Sequence, residues 1–124
     1  MGKACNITGL RGGVVTYPAG ATFGPRTLSD YEMVWIIQGA AVWHPGDRDV
    51  SCGPGSMVLA RPGMHDAFTW DRDRPTRHAF FHFTLEQPPR DWTDPAGWPV
   101  KRDMPEDDIV RPLFRHVLTA VSMG

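Results

Sequence analysis

The sequence is short of cysteine, of basic charge and of long apolar runs, and each shortage closes off a class of function. Only Cys5 and Cys52 are present. They form no C-x-x-C pair, so neither a zinc-finger knuckle nor a dithiol redox motif is written into the chain. Two thiols in a reducing cytosol, or one disulfide, are the readings left open. Thirteen Lys and Arg stand against 14 Asp and Glu, for a formal charge of −1. That balance lacks the basic footprint of a nucleic-acid binder. No stretch nears the ~20 apolar residues that span a bilayer. Residues 1–10 hold no apolar segment of the secretory type. A cytoplasmic domain without membrane contact is therefore expected. No Gly-x-Ser-x-Gly elbow is present, and no glycine-rich phosphate loop precedes a helix, so nucleophilic catalysis has no foothold.

What the chain does have is turn chemistry. Its 124 residues include 13 glycines and 12 prolines, nearly double average usage. With 41% hydrophobic residues and five tryptophans, there is enough apolar matter for one folded core. Short apolar runs recur between turns. Val14–Tyr17, Tyr31–Gln38, Ala40–His44, Arg48–Cys52, Met57–Ala60, Asp66–Trp70 and Arg77–Leu85 read as strands. Pro45-Gly46-Asp47, Gly53-Pro54-Gly55 and Arg61-Pro62-Gly63 read as the turns between them. Tyr31–Gln38 and Ala40–His44 are expected to form a hairpin about Gly39. Regular turns of this kind predict a mainly β, antiparallel sandwich or barrel.

The ends differ in character. Residues 1–12 are small, polar and glycine-containing, and read as a mobile N-terminal arm. Residues 86–108 carry five prolines among charges and read as an extended connector. Beyond it Ile109, Val110, Leu113, Phe114, Val117, Leu118 and Val121 recur at helical spacing. Asp107 and Asp108 suit the helix start, and Pro112 is tolerable only in a first turn.

The order of these elements carries two marks. One is Glu32 followed after six residues by Gly39; the other is Gly55, then Pro62-Gly63, then His65. The run 30–39, the Gly53-Pro54-Gly55 turn, Leu59–His65 and the closing His78–Phe83 together resemble a cupin subfamily, the N-terminal sensing domain of AraC-type transcription regulators. The resemblance implies a small antiparallel cupin-like β-barrel of jelly-roll type with a C-terminal helix. It divides the chain into an arm (1–12), an effector-binding barrel (13–105) and the start of a linker and dimerisation helix (106–124). It also implies a small-molecule effector, a sugar being one candidate, and a homodimer. DNA would be reached only through a C-terminal helix-turn-helix domain outside this sequence. Two departures bear on chemistry. One residue, Met64, rather than two separates Gly63 from His65. The His-x-His pair of metal-binding cupins is replaced by Pro25, Arg26, Thr27 and Leu28. Glu32 and His65 alone fall short of three protein ligands. Neither a metal nor another cofactor is expected, and the chain reads as non-catalytic.

Candidate site residues follow from alternation. His78, Phe80 and His82 share one face of the last strand, and Ala79, Phe81, Phe83 and Leu85 share the other. The histidine face lines a ligand cavity or meets water; spacing alone allows both, and the resemblance favours the cavity. Glu32 points inward with Val34 and Ile36, leaving Trp35 to pack outside, against the helix. Arg26 lies at the barrel mouth as a fork for ligand oxygens, or else pairs with Asp30 in solvent. Trp43 offers an indole to a sugar face, while Tyr17 reaches the pocket or does not. The expected ligand set is thus Arg26, Glu32, Trp43, His65, His78, Phe80 and His82. The expected dimer contacts are Leu113, Phe114, Val117, Leu118 and Val121. The competing reading is a stand-alone metal-dependent cupin enzyme, an isomerase or dioxygenase, with the metal on Glu32, His65 and a histidine of the last strand.

Overall fold

The structure, a computed structural model, describes residues 6–86 and 100–123. In chain order the strands are β1 (Asn6–Tyr17), β2 (Thr22–Thr27), β3 (Tyr31–Gln38), β4 (Ala41–Trp43) and β5 (Val50–Cys52). They continue as β6 (Ser56–Ala60), β7 (His65–Trp70), β8 (Thr76–Glu86) and β9 (Lys101–Asp103), ahead of helix α1 (Val110–Met123). Pairing is antiparallel and falls into two sheets, ordered β1-β8-β3-β6-β9 and β2-β7-β4-β5. The fold is mainly β, as expected, but the sheets do not close into a barrel. They form an open jelly-roll-like sandwich.

β3 is the centre of the larger sheet. Its run of Val, Trp and Ile suits a pleat buried on both sides. It pairs with β6 and β8, so that Val34 lies between Val58 and Phe80. The expected hairpin of β3 with β4 does not form, because the two strands belong to different sheets. Gly39 is the reason. Its φ of 90° turns the chain off the first sheet, and a Cβ there would sit 2.6 Å from Thr76 Oγ1. Thr76 then holds the crossing, its hydroxyl donating to the Ala40 carbonyl at 2.9 Å. β4 continues in the second sheet, with Ala41 opposite Trp70.

The N-terminal arm is also corrected. Residues 6–12 belong to β1, where Asn6 pairs with Glu86, Ile7 with Leu85 and Thr8 with Thr84. Gly12 marks close approach rather than looseness, since a Cβ there would fall 2.1 Å from the Phe80 carbonyl oxygen. Residues 1–5 of the expected arm lie outside the described residues. Of the proline-rich connector, residues 87–99 also lie outside them, and 101–103 form β9, which pairs with β6. β2 was not anticipated, because Gly24-Pro25 interrupts its strand pattern. The register with β7 shifts there, between Phe23 and Arg26.

Two cores result. Between the sheets, Val34, Ile36 and Val58 meet Trp43, Phe68 and Trp70. On the outer face of the larger sheet, Trp35, Met57, Ala79 and Phe81 receive Phe114 from α1. Asp108 caps the helix by accepting the Val110 N–H at 2.9 Å. Pro112 falls in the first turn, as its missing N–H requires. Trp35 is on the outside as expected, edge-on to Phe114 at 5.7 Å. Arg111 and Arg115 lie over the Trp35 ring. The apolar stripe of α1 therefore splits. Phe114, Val117 and Leu118 pack on the sheet, whereas Ile109 and Leu113 are 68% and 57% exposed. Phe114, expected at a dimer interface, is spent on its own sheet.

Candidate functional site

Strand alternation delivers one ionisable group after another to the space between the sheets. β3 sends Glu32, Val34 and Ile36 inward; β8 sends His82, Phe80 and His78 directly opposite them. β7 adds Asp66, Phe68 and Trp70, its buried positions. Of these, Glu32, Val34, Phe68, Trp70, His78, Phe80 and His82 wall a cavity of about 130 Å³. Its aromatic end is built from Tyr17, Phe23, Phe68, Trp70, His78 and Phe80, and its charged end from Arg26, Glu32 and His82. A larger depression of about 560 Å³ lies along Arg48, Pro62 and His65. Arg26, Glu32, His78 and His82 converge on the smaller space, which makes it the candidate site.

The charged end is an ion-pair network. Arg26 Nε donates to Asp66 Oδ1 at 2.7 Å, and Arg26 Nη2 donates to Glu32 Oε1. His82 spans two carboxylates, Asp30 through Nδ1 and Glu32 through Nε2, each at 2.9 Å. Arg11 of β1 closes the chain of contacts on Asp30 Oδ2, also at 2.9 Å. Trp43 Nε1 donates to Asp66 Oδ2 at 2.8 Å. The pairing sets the protonation states. Burial pulls Arg26 down, but its hydrogen bonds to Asp66 and Glu32 outweigh burial and raise it. Glu32 would rise on burial, yet hydrogen bonds from His82 and Arg26 hold it below the usual carboxylate range. Asp30 behaves likewise, through His82 and Arg11. His82 is raised chiefly by its hydrogen bond to Glu32, against burial.

His78 is the opposite case. Burial pushes its pKa down to about 4, against the field of Glu32, so it is neutral at physiological pH. Its ring lies 5.6 Å from Tyr17 and 4.9 Å from Trp70, nearly parallel to both. Among the described residues, neither His78 Nδ1 nor Trp70 Nε1 has a hydrogen-bond partner.

Five of the seven expected ligand residues, Arg26, Glu32, His78, Phe80 and His82, come together at this cavity. Two do not. Trp43 does face inward, but it is fully buried in the core and serves Asp66 rather than the cavity. His65 is exposed on the other face of β7, bonded to Thr27 Oγ1 at 2.7 Å. The single residue between Gly63 and His65 puts Asp66 in the inward register instead. Glu32, His65 and His82 therefore do not converge, and the ligand set of the metal-enzyme reading is not assembled. The pairing of Arg26 with Asp30 is likewise replaced, by Asp66 and Glu32. Tyr17, left open by the sequence, lines the cavity. Asp66 and Trp70 were missed, although the alternation Asp66, Phe68, Trp70 placed both on the apolar face of β7.

An open two-sheet jelly roll with an aromatic and ionic cavity between its sheets and one helix across its back is a cupin-type ligand-binding domain. The chain belongs to the AraC-like ligand binding domain family, whose profile matches residues 11–121. Among curated protein sequences none matches. Solved structures share the fold. Unsaturated fatty acid-bound ToxT from Vibrio cholerae is 16% identical, with a TM-score of 0.51 over 60% of this chain and 29% of its own. YhaK from Escherichia coli is 19% identical, with a TM-score of 0.57 over 81% of this chain and 42% of its own. A predicted oxalate decarboxylase from Thermotoga maritima is 18% identical, with a TM-score of 0.53 over 58% and 64%. The chain thus spans under a third of the ToxT chain it matches.

Proposed function

We propose that this chain is the effector-sensing and dimerisation domain of an AraC-type transcription regulator, acting in the cytoplasm and without catalysis. One observation carries the reading. Residues from β2, β3, β7 and β8 converge on a single inter-sheet cavity that pairs an aromatic wall with a hydrogen-bonding end. A small-molecule effector would bind there. The sugar-like ligand expected from the sequence would have to find its hydroxyl partners around Arg26, Glu32 and His82. DNA would be contacted through a separate helix-turn-helix domain. The homodimer would form through the part of α1 its own sheet leaves free, Ile109 and Leu113 at its centre, with the margins of Val117, Leu118 and Val121 beside them. Two exposed aliphatic side chains one helical turn apart favour an isologous contact. An effector could shift such a dimer only by its differential affinity for two arrangements.

The test fuses the chain to a DNA-binding domain that represses a reporter only as a dimer. Repression is expected, together with its loss on Leu113→Asp and a dimer-to-monomer change by sedimentation. A chain that sediments as a monomer at tens of micromolar and fails to repress would overturn the dimerisation reading.

A further inference from the structure

His82 stands where a neutral imidazole cannot satisfy both of its neighbours. Its Nδ1 lies 2.9 Å from Asp30 Oδ1, and its Nε2 lies 2.9 Å from Glu32 Oε2. An ionised carboxylate only accepts hydrogen bonds, so each ring nitrogen must carry a proton, and a neutral ring has one. His44 shows the difference. It also bridges two groups, Asp49 at 2.7 Å and Thr69 Oγ1 at 2.8 Å. There the hydroxyl can donate to the bare nitrogen of a neutral ring. His65 likewise meets a hydroxyl, that of Thr27. Among the described residues, the demand for a second ring proton falls on His82.

The charges around His82 come from every strand beside it. Arg11 stands opposite it on β1, and Glu32 opposite it on β3. Asp30 lies in the bend before β3. Arg26 of β2 bonds Glu32, and Asp66 of β7 bonds Arg26 in turn. His78, four residues back on β8, is pushed by burial to about 4 and is neutral near pH 7. With His82 protonated, the buried carboxylates of Asp30, Glu32 and Asp66 face three cations, Arg11, Arg26 and His82. Without that proton two cations remain for three carboxylates, and one carboxylate oxygen faces a ring lone pair. The two contacts are not equal. Glu32 is fixed in the strand ladder and held by Arg26. Asp30 sits outside any strand, and its other partner, Arg11, is 60% exposed. The Asp30 contact is therefore the one free to open, carrying its carboxylate towards Arg11 and water.

We infer that His82 is a proton-operated latch on the charged end of the cavity. Protonated, it ties β8 to both Asp30 and Glu32; on losing the proton it keeps Glu32, releases Asp30 and opens that end to solvent. The proton is then an effector of the domain in its own right, whatever molecule the cavity takes. Hydrogen bonds to Glu32 and Asp30 outweigh burial and favour the charged ring. The latch is thus shut in mild acid and opens as pH rises above 6.5 through the folded-state value.

Nitrogen NMR of the histidine rings of the purified chain tests the protonation. At pH 6.5 both His82 nitrogens should carry protons, with a titration midpoint above that pH. Beyond the midpoint the remaining proton should sit on Nε2, towards Glu32. Hydrogen exchange tests the opening. Corrected for the pH dependence of exchange itself, protection at residues 28–32 should fall by up to about tenfold per pH unit above the midpoint. Residues 56–58 of β6 should show no such fall. His82→Gln, which cannot titrate, should abolish the pH dependence, and His116→Gln, exposed on α1, should leave it unchanged. Should His82→Gln fail to fold, the ring spectrum of the wild-type chain decides. A single proton on His82 at pH 6.5, or a remaining proton on Nδ1, would overturn the latch. Protection at residues 28–32 that ignores the midpoint would overturn it as well.

Discussion

β3 and β8 are shared by two environments that differ in almost every respect. On their inner face, Glu32 and His82 are held by ion pairs, and His78 is stacked among aromatic rings. On their outer face, Trp35, Ala79 and Phe81 meet Phe114 in a purely apolar contact. Moving one residue along either strand exchanges one environment for the other, because strand side chains alternate. The comparison teaches that burial alone does not mark a site. Both faces are buried, but only the inner one holds polar groups whose positions fix one another. The outer face could be repacked with other apolar side chains of similar volume. The inner one has few alternatives.

The sharpest way to break this contrast is Arg26→Ala. It leaves Asp66 and Glu32 buried without their common cation, and should cost about 3–5 kcal/mol in urea unfolding. A loss under about 1 kcal/mol would mean that water or a neighbour already shields those carboxylates. On the outer face, Phe114→Ala should cost about 3 kcal/mol through lost burial and the cavity left behind. That loss should be the same at every pH, since no titratable group belongs to this cluster. A pH-dependent Phe114→Ala penalty would show that the two faces are coupled.

The inner face alone should respond to acid and base. His78 has a folded-state pKa of about 4, below its ordinary 6.5. Between those values the unfolded chain binds a proton that the folded chain refuses, so stability falls as pH drops from about 6.5 towards 4. Asp30 and Glu32, held low in the folded state, withdraw their contribution at still lower pH. His82 has the opposite sign. Its raised folded-state pKa gives stability that is complete below pH 6.5 and is lost as pH rises from there through the folded-state pKa. A maximum near pH 6.5 follows. His78→Phe should flatten the acid limb, worth about 2–3 kcal/mol between pH 6.5 and 4. Urea midpoints across that range check it, and an unchanged acid limb would place the acid sensitivity elsewhere.

Much of this was readable in the sequence, and the failures have physical causes. Alternation along Glu32–Ile36 and His78–Phe83 showed which side chains share a face, the family resemblance turned the histidine face inward, and the spacing from Ile109 to Val121 found the helix. Pairing was another matter. Gly39 reads as a hairpin turn to any local rule, and only its contact with Pro75 and Thr76 shows the chain leaving one sheet for the other. β2 was hidden because Gly24-Pro25 lies inside it, at a bulge. Residues 6–12 looked loose because their partners, among residues 81–86 of β8, lie about 70–80 positions away. In the site, family spacing put weight on His65, while the alternation of β7 pointed to Asp66 one residue on. The partners of Arg26 were beyond sequence reasoning, because Asp66 reaches it from a strand 40 positions later.

The ladder between β1 and β8 has a kinetic consequence. Tyr17 pairs with Thr76 and Asn6 with Glu86, so the strand made first docks on one of the last. Ends so far apart must be brought together before the ladder repays that loss of freedom, and folds dominated by such pairings assemble slowly. Tyr17, His78 and Phe80, which line the cavity, belong to these two strands. The cavity therefore completes only once these two strands have paired, and a nascent chain closes it all at once rather than by degrees.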